Sequence, residues 1–225
     1  MRILLTNDDG VRASGLKVLE AIARTLSDDI TIVAPAEEAS GAGHSLTLTR
    51  PVRLRRLDER RYAVTGTPTD AVMMAMGKIM KDAKPDLILS GVNRGANLGE
   101  DVTYSGTVSA AMEGALAGVR SIALSQVLAR DAMGEKMSFA PAEAWGARVV
   151  KRLIEADWTP GTLFNVNFPA VDPEAVRGVR AVGQGLRDYG RLQIVEGTDP
   201  RGFPYYWFGL RGAMHTPAPS PDLEA

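Results

Sequence analysis

The chain has 225 residues, of which 45% are apolar and 24% charged, and this composition excludes general disorder. Its 26 basic and 27 acidic side chains leave a net charge of −1, which argues against a surface built to grip nucleic acid or an anionic membrane. The absence of cysteine excludes disulfides, thiol nucleophiles and thiolate metal sites. A metal ion would therefore need oxygen ligands or the two histidines, His44 and His215.

The N-terminal segment predicts the β–α–β order of a parallel sheet. Residues 2–6 and 30–34 are short apolar runs typical of buried strands, and residues 15–26 carry apolar side chains at helical spacing. Because the first apolar run leads directly into polar residues, no signal peptide is expected. No apolar run is long enough to span a membrane, so we expect a cytoplasmic location.

An antiparallel hairpin is predicted over residues 46–65, where apolar and polar side chains alternate at the edge of the sheet. Its arginines favour a solvated edge that discourages strand pairing, with a funnel for anionic substrates as the alternative. They are Arg50, Arg53, Arg55, Arg56, Arg60 and Arg61. Thr67, Pro68 and Asp70 are typical of a helix start, with Thr67 as the N-cap.

The helix that follows is rich in methionine. For these side chains we favour gap-filling core packing over a groove for a partner protein. They are Met73, Met74, Met76 and Met80.

The rest of the predicted core repeats the pattern of short strands and crossover helices. Strands at residues 86–90 and 121–124 flank a helix at 107–117, and a helix at 141–156 leads to a strand at 162–168. The order of these elements predicts an α/β fold, a Rossmann-like, doubly wound and mostly parallel sheet with the hairpin inserted at its edge.

The two parts of the chain differ in composition. Residues 1–169 are predicted to form the Rossmann-like catalytic core. Residues 170–225 contain many glycines and prolines and short aromatic runs such as residues 205–208, which predicts a smaller, strand-rich C-terminal extension. Such an extension is too thin to bury its own core, and segments of this kind often fold against a second subunit.

Polar residues follow the predicted strands at the ends where doubly wound sheets bind ligands. Asp8 and Asp9 follow the first strand, Ser40 lies in the loop after the second, and Asn93 follows residues 86–90. Two consecutive carboxylates repel each other unless a cation joins them, and hard oxygen ligands favour Mg²⁺, Mn²⁺ or Ca²⁺. Turn and capping roles are the alternative for the two aspartates.

Ser105, Gly106 and Thr107 open a helix whose body consists of small residues, so that the helix can lie close to the sheet. Its N-terminus would offer amides, hydroxyls and the positive end of the helix dipole to an anion, with simple capping by Ser105 as the alternative. A cation site opposite an anion site indicates phosphoryl chemistry. His44 lies in a glycine-bearing loop, and we favour a loop residue over an acid or a substrate contact.

No competing nucleotide motif is complete. Gly41 and Gly43 resemble the start of a dinucleotide fingerprint, but Leu46 occupies the third glycine position. The sequence has neither a Walker motif nor the Gly-x-Ser-x-Gly turn of a serine hydrolase.

An ordered set of motifs along nearly the whole chain resembles the SurE family of stationary-phase survival proteins. These motifs lie at residues 7–10, 40–41, 45–47, 66–70, 90–99, 104–108, 165–169, 199–202 and 205–207. The resemblance implies a metal-dependent phosphatase that hydrolyses nucleoside 5′- and 3′-monophosphates to nucleoside and phosphate, with short polyphosphate as a further substrate of some members. It also implies a homodimer or homotetramer in which the C-terminal extension is exchanged between subunits.

The resemblance also implies roles for individual residues. One divalent ion per subunit, Mg²⁺ or Mn²⁺ with Ca²⁺ as a further occupant, would be held by Asp8, Asp9, Ser40 and Asn93. The phosphate would be held by Asn97, Ser105, Gly106 and Thr107. Without cysteine or an activated serine we favour direct attack by water, and an aspartyl-phosphate on Asp8 or Asp9 stays open. The alternative function is a non-catalytic nucleotide sensor.

Overall fold

The computed structural model describes residues 1–131, 134–136, 138–186 and 192–210. The chain divides into two compact units. The first contains Met1–Asn97 and Asp101–Val179, and the second contains Leu98–Glu100 and the described residues from Arg180 onward. The predicted domain boundary at residue 169 stays a prediction.

The first unit contains a mostly parallel, seven-stranded sheet. The strands of this unit are β1 (Ile3–Thr6), β2 (Ile30–Pro35), β3 (Leu54–Arg56), β4 (Arg61–Val64), β5 (Leu87–Arg94), β6 (Arg120–Gln126), β7 (Ala129–Asp131), β8 (Gly134–Lys136) and β9 (Phe164–Phe168). The sheet order is β3-β4-β2-β1-β5-β6-β9, and only β3 and β4 pair antiparallel within it. Strands β7 and β8 form a separate hairpin. The predicted Rossmann-like fold is confirmed.

Helices cover both faces of the sheet. They are α1 (Ser14–Arg24), α2 (Pro68–Met74), the short α3 (Asp101–Tyr104), α4 (Gly106–Leu116) and α5 (Ala140–Ile154). Successive side chains of a strand point to opposite faces. Accordingly Ile3 and Leu5 of β1 join the core cluster containing residues of α1 and α5, whereas Leu4 joins the cluster containing residues of α2 and α4. Burial on both faces explains why the strands are continuously apolar.

Small residues bring α4 close to the sheet, as the sequence predicts. A methyl group added at Gly114 would collide with Ile88 on β5 and Ser121 on β6. Ala110 and Ala111 are fully buried. The N-terminus of α4 is thereby fixed against the sheet, and this placement positions the candidate site.

The predicted capping of α2 is confirmed. The Thr67 hydroxyl accepts a hydrogen bond from the Asp70 amide at 3.1 Å, and the Asp70 carboxylate accepts one from the Thr67 amide at 2.8 Å. The helix continues into a π-helical turn over Ala75–Ile79. Core packing is confirmed for three of the four methionines, since Met80 is buried and Met74 and Met76 pack against the same cluster.

The edge hairpin is shorter than predicted. Only β3 and β4 pair, whereas residues 46–53 lie outside the sheet. At the start of the predicted hairpin, the backbone amide and hydroxyl of Thr47 bind the Asp70 side chain instead of a neighbouring strand. Arg61 pairs with Glu20 at 2.6 Å and Arg60 pairs with Asp29, so these two arginines neutralise acids at the sheet edge.

Strand β5 is longer than predicted and includes Asn93, which the sequence placed in a loop. The pairing of β5 with β6 shifts register between Ser90 and Asn93 and then resumes, with Asn93 opposite Ser125. Gly91 lies within this irregularity.

The second unit contains an antiparallel hairpin of β10 (Leu192–Thr198) and β11 (Pro204–Leu210). The aromatic run of β11 is exposed, with Trp207 at 68% and Phe208 at 78% of their full accessibility. His215 and the rest of residues 211–225 lie outside the described residues. No helix in the described part of the chain is both long and apolar enough to cross a membrane.

Candidate active site

The candidate site lies at the topological switch point of the sheet. From β1 the chain moves to β2 on one side, and later returns to β5 on the other side. The carboxyl ends of β1 and β5 therefore border the crevice in which doubly wound sheets bind ligands. Asp8 and Asp9 follow β1, and Asn93 lies near the end of β5.

Asp8 is buried against the N-terminus of α4. Only 4% of Asp8 is exposed, and one of its carboxylate oxygens accepts a hydrogen bond from the Thr107 hydroxyl. A Cβ placed on Gly106 would lie 2.7 Å from the Cβ of Asp8 and 2.9 Å from the Cγ of Pro68. The structure thus brings Asp8, Gly106 and Thr107 into direct contact.

Asp9 lies beside the end of β5. Its Oδ2 accepts a hydrogen bond from the backbone amide of Arg94 at 3.2 Å. Burial raises the pKa of Asp9 to about 6, and the charge of Asp8 adds to the effect. Burial also raises the pKa of Asp8, and the charge of Glu38 disfavours ionisation of both aspartates. A cation between these carboxylates would relieve the cost of their charged forms.

The loop that carries Ser40 is attached to Asp8. The Ala39 amide donates to the backbone oxygen of Asp8 at 2.8 Å, and the Ser40 hydroxyl donates to Glu38 Oε1 at 2.9 Å. The side-chain amide of Asn93 donates to the backbone oxygen of Gly95 at 3.0 Å. The amide oxygen of Asn93 is then the atom that a cation would use.

The chemistry of these donors fits a hard divalent cation. Among the described residues, no three acidic or histidine side chains are grouped as metal ligands. A cation at Asp8 and Asp9 would therefore combine carboxylates with neutral oxygens, a donor set suited to Mg²⁺, Mn²⁺ or Ca²⁺. The buried side-chain oxygen of Asn7, next to Asp8, accepts no hydrogen bond from the described residues.

The N-terminus of α4 supplies the donors for an anion. Ser105 is the N-cap, and its hydroxyl accepts a hydrogen bond from the Val108 amide at 3.1 Å, so the capping role that the sequence offers as the alternative is observed. The amides of Gly106 and Thr107 have no acceptor within the helix, because the first turn of any helix leaves its donors unused. Together with the helix dipole they favour negative charge at this point.

Asn97 is buried and is held by Asn165 and Asn167, two residues for which the sequence predicts no role in the site. Its backbone amide donates to Asn167 Oδ1 at 2.9 Å, and its backbone oxygen accepts from Asn165 Nδ2 at 2.8 Å. Its own side-chain amide donates to Ser125 Oγ at 2.8 Å. In the sequence, the spacing of Asn165 and Asn167 could have indicated that both point toward the same neighbour, since residues two apart on a strand share a face.

His44 pairs with a residue on α4. Its Nε2 lies 2.9 Å from Glu113 Oε2, and both side chains are partly exposed. In the sequence, Glu113 indicates only the polar side of a helix, and nothing marks it as a neighbour of His44. Glu38, which contacts Ser40, was likewise not assigned to the site.

Comparisons with known proteins agree with this architecture. The chain matches the family model described as Survival protein SurE over residues 3–191. Proteins named 5′-nucleotidase SurE from Rhizorhabdus wittichii and Erythrobacter litoralis are 70% and 63% identical over the whole chain, which covers 89% and 88% of their lengths. The crystal structure of the SurE protein from Aquifex aeolicus matches with a TM-score of 0.78 and 39% identity, covering 93% of this chain and 82% of that chain.

Proposed function

This chain belongs to the SurE family of survival proteins, and we propose that it is an enzyme, a 5′-nucleotidase that hydrolyses nucleoside monophosphates to nucleoside and phosphate. The names of its similar relatives support the reaction. The observation that carries the proposal is the contact of the buried Asp8 carboxylate with the first turn of α4. Acidic groups and anion-binding donors meet there at the switch point of the sheet.

We further propose that Asp8, Asp9, Ser40 and Asn93 hold a divalent metal ion. The raised pKa values of the two aspartates support this role, because these buried carboxylates would be stabilised in their charged form by a cation. When bound, such an ion supplies a water of lowered pKa and polarises a phosphoryl oxygen. Nucleoside 3′-monophosphates and short polyphosphate are further proposed substrates.

The N-terminus of α4 is proposed to hold the phosphate. Negative charge develops on the phosphoryl oxygens during the reaction, and the amides of Gly106 and Thr107 are already oriented by the helix. Asn97 adds a donor, since an amide nitrogen carries two hydrogens and the bond to Ser125 uses only one. The contacts with Asn165 and Asn167 hold the backbone of Asn97 in place.

Direct attack by water is the proposed chemistry. One oxygen of Asp8 already binds the Thr107 hydroxyl, and its Cβ is packed against Gly106, so the side chain has little freedom to approach phosphorus. Acid quenching during turnover of AMP labelled in its phosphate tests this step. Unlabelled protein is expected, and a labelled aspartate would show an aspartyl-phosphate.

The sensor alternative is disfavoured by the charges at the site. A protein that only binds an anion gains nothing from Asp8, Asp9 and Glu38 close to the phosphate, because like charges repel. Phosphate release from a panel of 5′- and 3′-nucleotides tests the activity, with Asp8→Asn as the inactive control. Tight binding of nucleotides without any phosphate release would establish the sensor instead.

The C-terminal extension is proposed to join subunits into a homodimer or homotetramer. The exposed aromatic side chains of residues 205–208 on β11 support this proposal, since large exposed apolar patches mark interaction surfaces. Light scattering of the purified protein measures the subunit number, and a monomer would contradict the proposal.

A further inference from the structure

The residues that cap α2 also bind the loop that follows β2. We define this segment, residues 40–47, as the 40–47 loop. Asp70 Oδ1 accepts a hydrogen bond from the Thr47 amide at 3.0 Å, and Asp70 Oδ2 accepts one from the Thr47 hydroxyl at 2.6 Å. The Thr67 hydroxyl donates to the backbone oxygen of Ser45 at 2.7 Å. A capping box needs none of these three bonds, because it requires only the reciprocal bonds between Thr67 and Asp70.

The same loop is attached to the start of α4. The Gly43 amide donates to the backbone oxygen of Tyr104 at 3.1 Å. Farther along α4, His44 pairs with Glu113, which lies three residues before the end of the helix. Tyr104 directly precedes Ser105, the N-cap of α4. The 40–47 loop therefore contacts the N-terminal end of α2 and lies along α4, from the residue before its N-cap to near its C-terminal end.

The start of α2 lies at the candidate active site. Pro68, the first residue of α2, and Asp8 both crowd the position of a Cβ on Gly106. Thr67 is adjacent to Pro68, so the bonds from Thr67 and Asp70 hold the 40–47 loop beside the proposed phosphate-binding turn. Asp70 is itself 94% buried, and its geometry is fixed by the helix.

We propose that Thr67 and Asp70 are positioning residues, which hold the 40–47 loop as the wall against which the nucleoside part of the substrate rests. This inference rests on the proposed nucleotidase function. Ser40, at the other end of the loop, is fixed separately through the bond between Ala39 and Asp8. Loosening the Thr47 end should therefore weaken nucleoside binding and leave metal binding unchanged.

Thr47→Val tests the inference without touching the capping box, because it removes only the hydroxyl that binds Asp70. The expected result is a KM for AMP raised about tenfold, the order expected for one hydrogen bond to a charged group. The kcat, the metal concentration for half-maximal activity and the KM for p-nitrophenyl phosphate, which has no nucleoside, should stay within about twofold, the scale of a surface substitution. Thr47→Ser should restore the KM for AMP. Thr49→Val is the matched control at an exposed position of the same segment.

Two further measurements separate this inference from the proposed function. Hydrogen exchange should become faster in residues 40–47 of Thr47→Val, with the melting temperature lowered by no more than a few degrees. The dissociation constant of AMP should rise with the KM, and this readout tests the loop even if the wild-type protein releases no phosphate. An unchanged affinity for AMP in Thr47→Val would overturn the inference. Equal losses with AMP and p-nitrophenyl phosphate would also overturn it, because they would show a general structural role.

Discussion

Gly106→Ala is the substitution that tests the packing of α4 against Asp8 most sharply. The new Cβ would lie 2.7 Å from the Cβ of Asp8 and 2.9 Å from the Cγ of Pro68. Both neighbours are fixed, since Asp8 lies two residues after the end of β1 and is buried, and Pro68 begins α2. The helix must therefore move away from Asp8 by several tenths of an ångström.

The size of the effect follows from this displacement. Overpacking of a rigid site costs about 1–3 kcal/mol of unfolding free energy. A shift of about 1 Å at a reacting centre lowers turnover by roughly 10²-fold, so a shift of about half that size should lower kcat about tenfold. The loss of activity in Gly106→Ala should therefore be larger than the loss caused by the small fraction of this variant that is unfolded.

The assay is phosphate release from AMP, combined with chemical denaturation. Gly77→Ala is the matched control, because a Cβ at Gly77 meets nothing within 4 Å. Gly77→Ala should keep both activity and stability. If Gly106→Ala has the kcat and stability of the wild type, the close contact between α4 and Asp8 is not the arrangement on which activity depends.

Three further predictions follow from individual contacts. The raised pKa of Asp9, about 6, means that the folded metal-free protein binds this proton more tightly than the unfolded chain does. The contribution of this proton to the free energy of unfolding is complete below the ordinary pKa of 3.8 and is lost as the pH rises through 6. The metal-free protein should therefore be more stable at pH 5 than at pH 7 by up to about 1 kcal/mol after solvent screening. If denaturation of Asp9→Asn shows the same pH dependence as the wild type, the effect does not come from Asp9. Ser40→Ala should raise the metal concentration for half-maximal activity, with excess metal restoring part of the loss, and phosphorylation of Ser40 during turnover would contradict this role. Asn97→Ala should lower kcat by roughly 10²-fold, the scale of one lost preorganised donor, and loss of metal binding with intact phosphate affinity would reverse the roles proposed for the two sides of the site.

Local patterns were sufficient to predict most of the fold. Apolar runs gave the buried strands, and Thr67, Pro68 and Asp70 gave the start of α2, because a cap depends only on residues within one turn. Once the parallel order of the strands is inferred, the same patterns place Asp8 and Gly106 together at the edge formed by the carboxyl ends of the strands. The contact between these two residues agrees with that expectation.

Contacts between residues that are far apart in the sequence could not be predicted from these local patterns. Asn97 and Asn167 are 70 positions apart, and the spacing of Asn165 and Asn167, which indicates only a shared face of a strand, does not identify Asn97 as their partner. The alternating pattern predicts a hairpin from residue 46, whereas Thr47 binds Asp70, a contact 23 positions away that exists only in the folded chain. The apolar run that predicts β5 ends at Ser90, so Asn93 falls outside the predicted strand, whereas β5 accommodates it through a register shift.

The central claim is that the two aspartates hold a metal ion needed for nucleotide hydrolysis. The most direct measurement is phosphate release from AMP by protein exhaustively treated with EDTA, before and after Mg²⁺ or Mn²⁺ is restored. We expect no release from the chelated protein and full recovery on addition of the metal, with neither in Asp8→Asn. Activity that survives complete chelation, or phosphate release by Asp8→Asn at the wild-type rate, would contradict the claim.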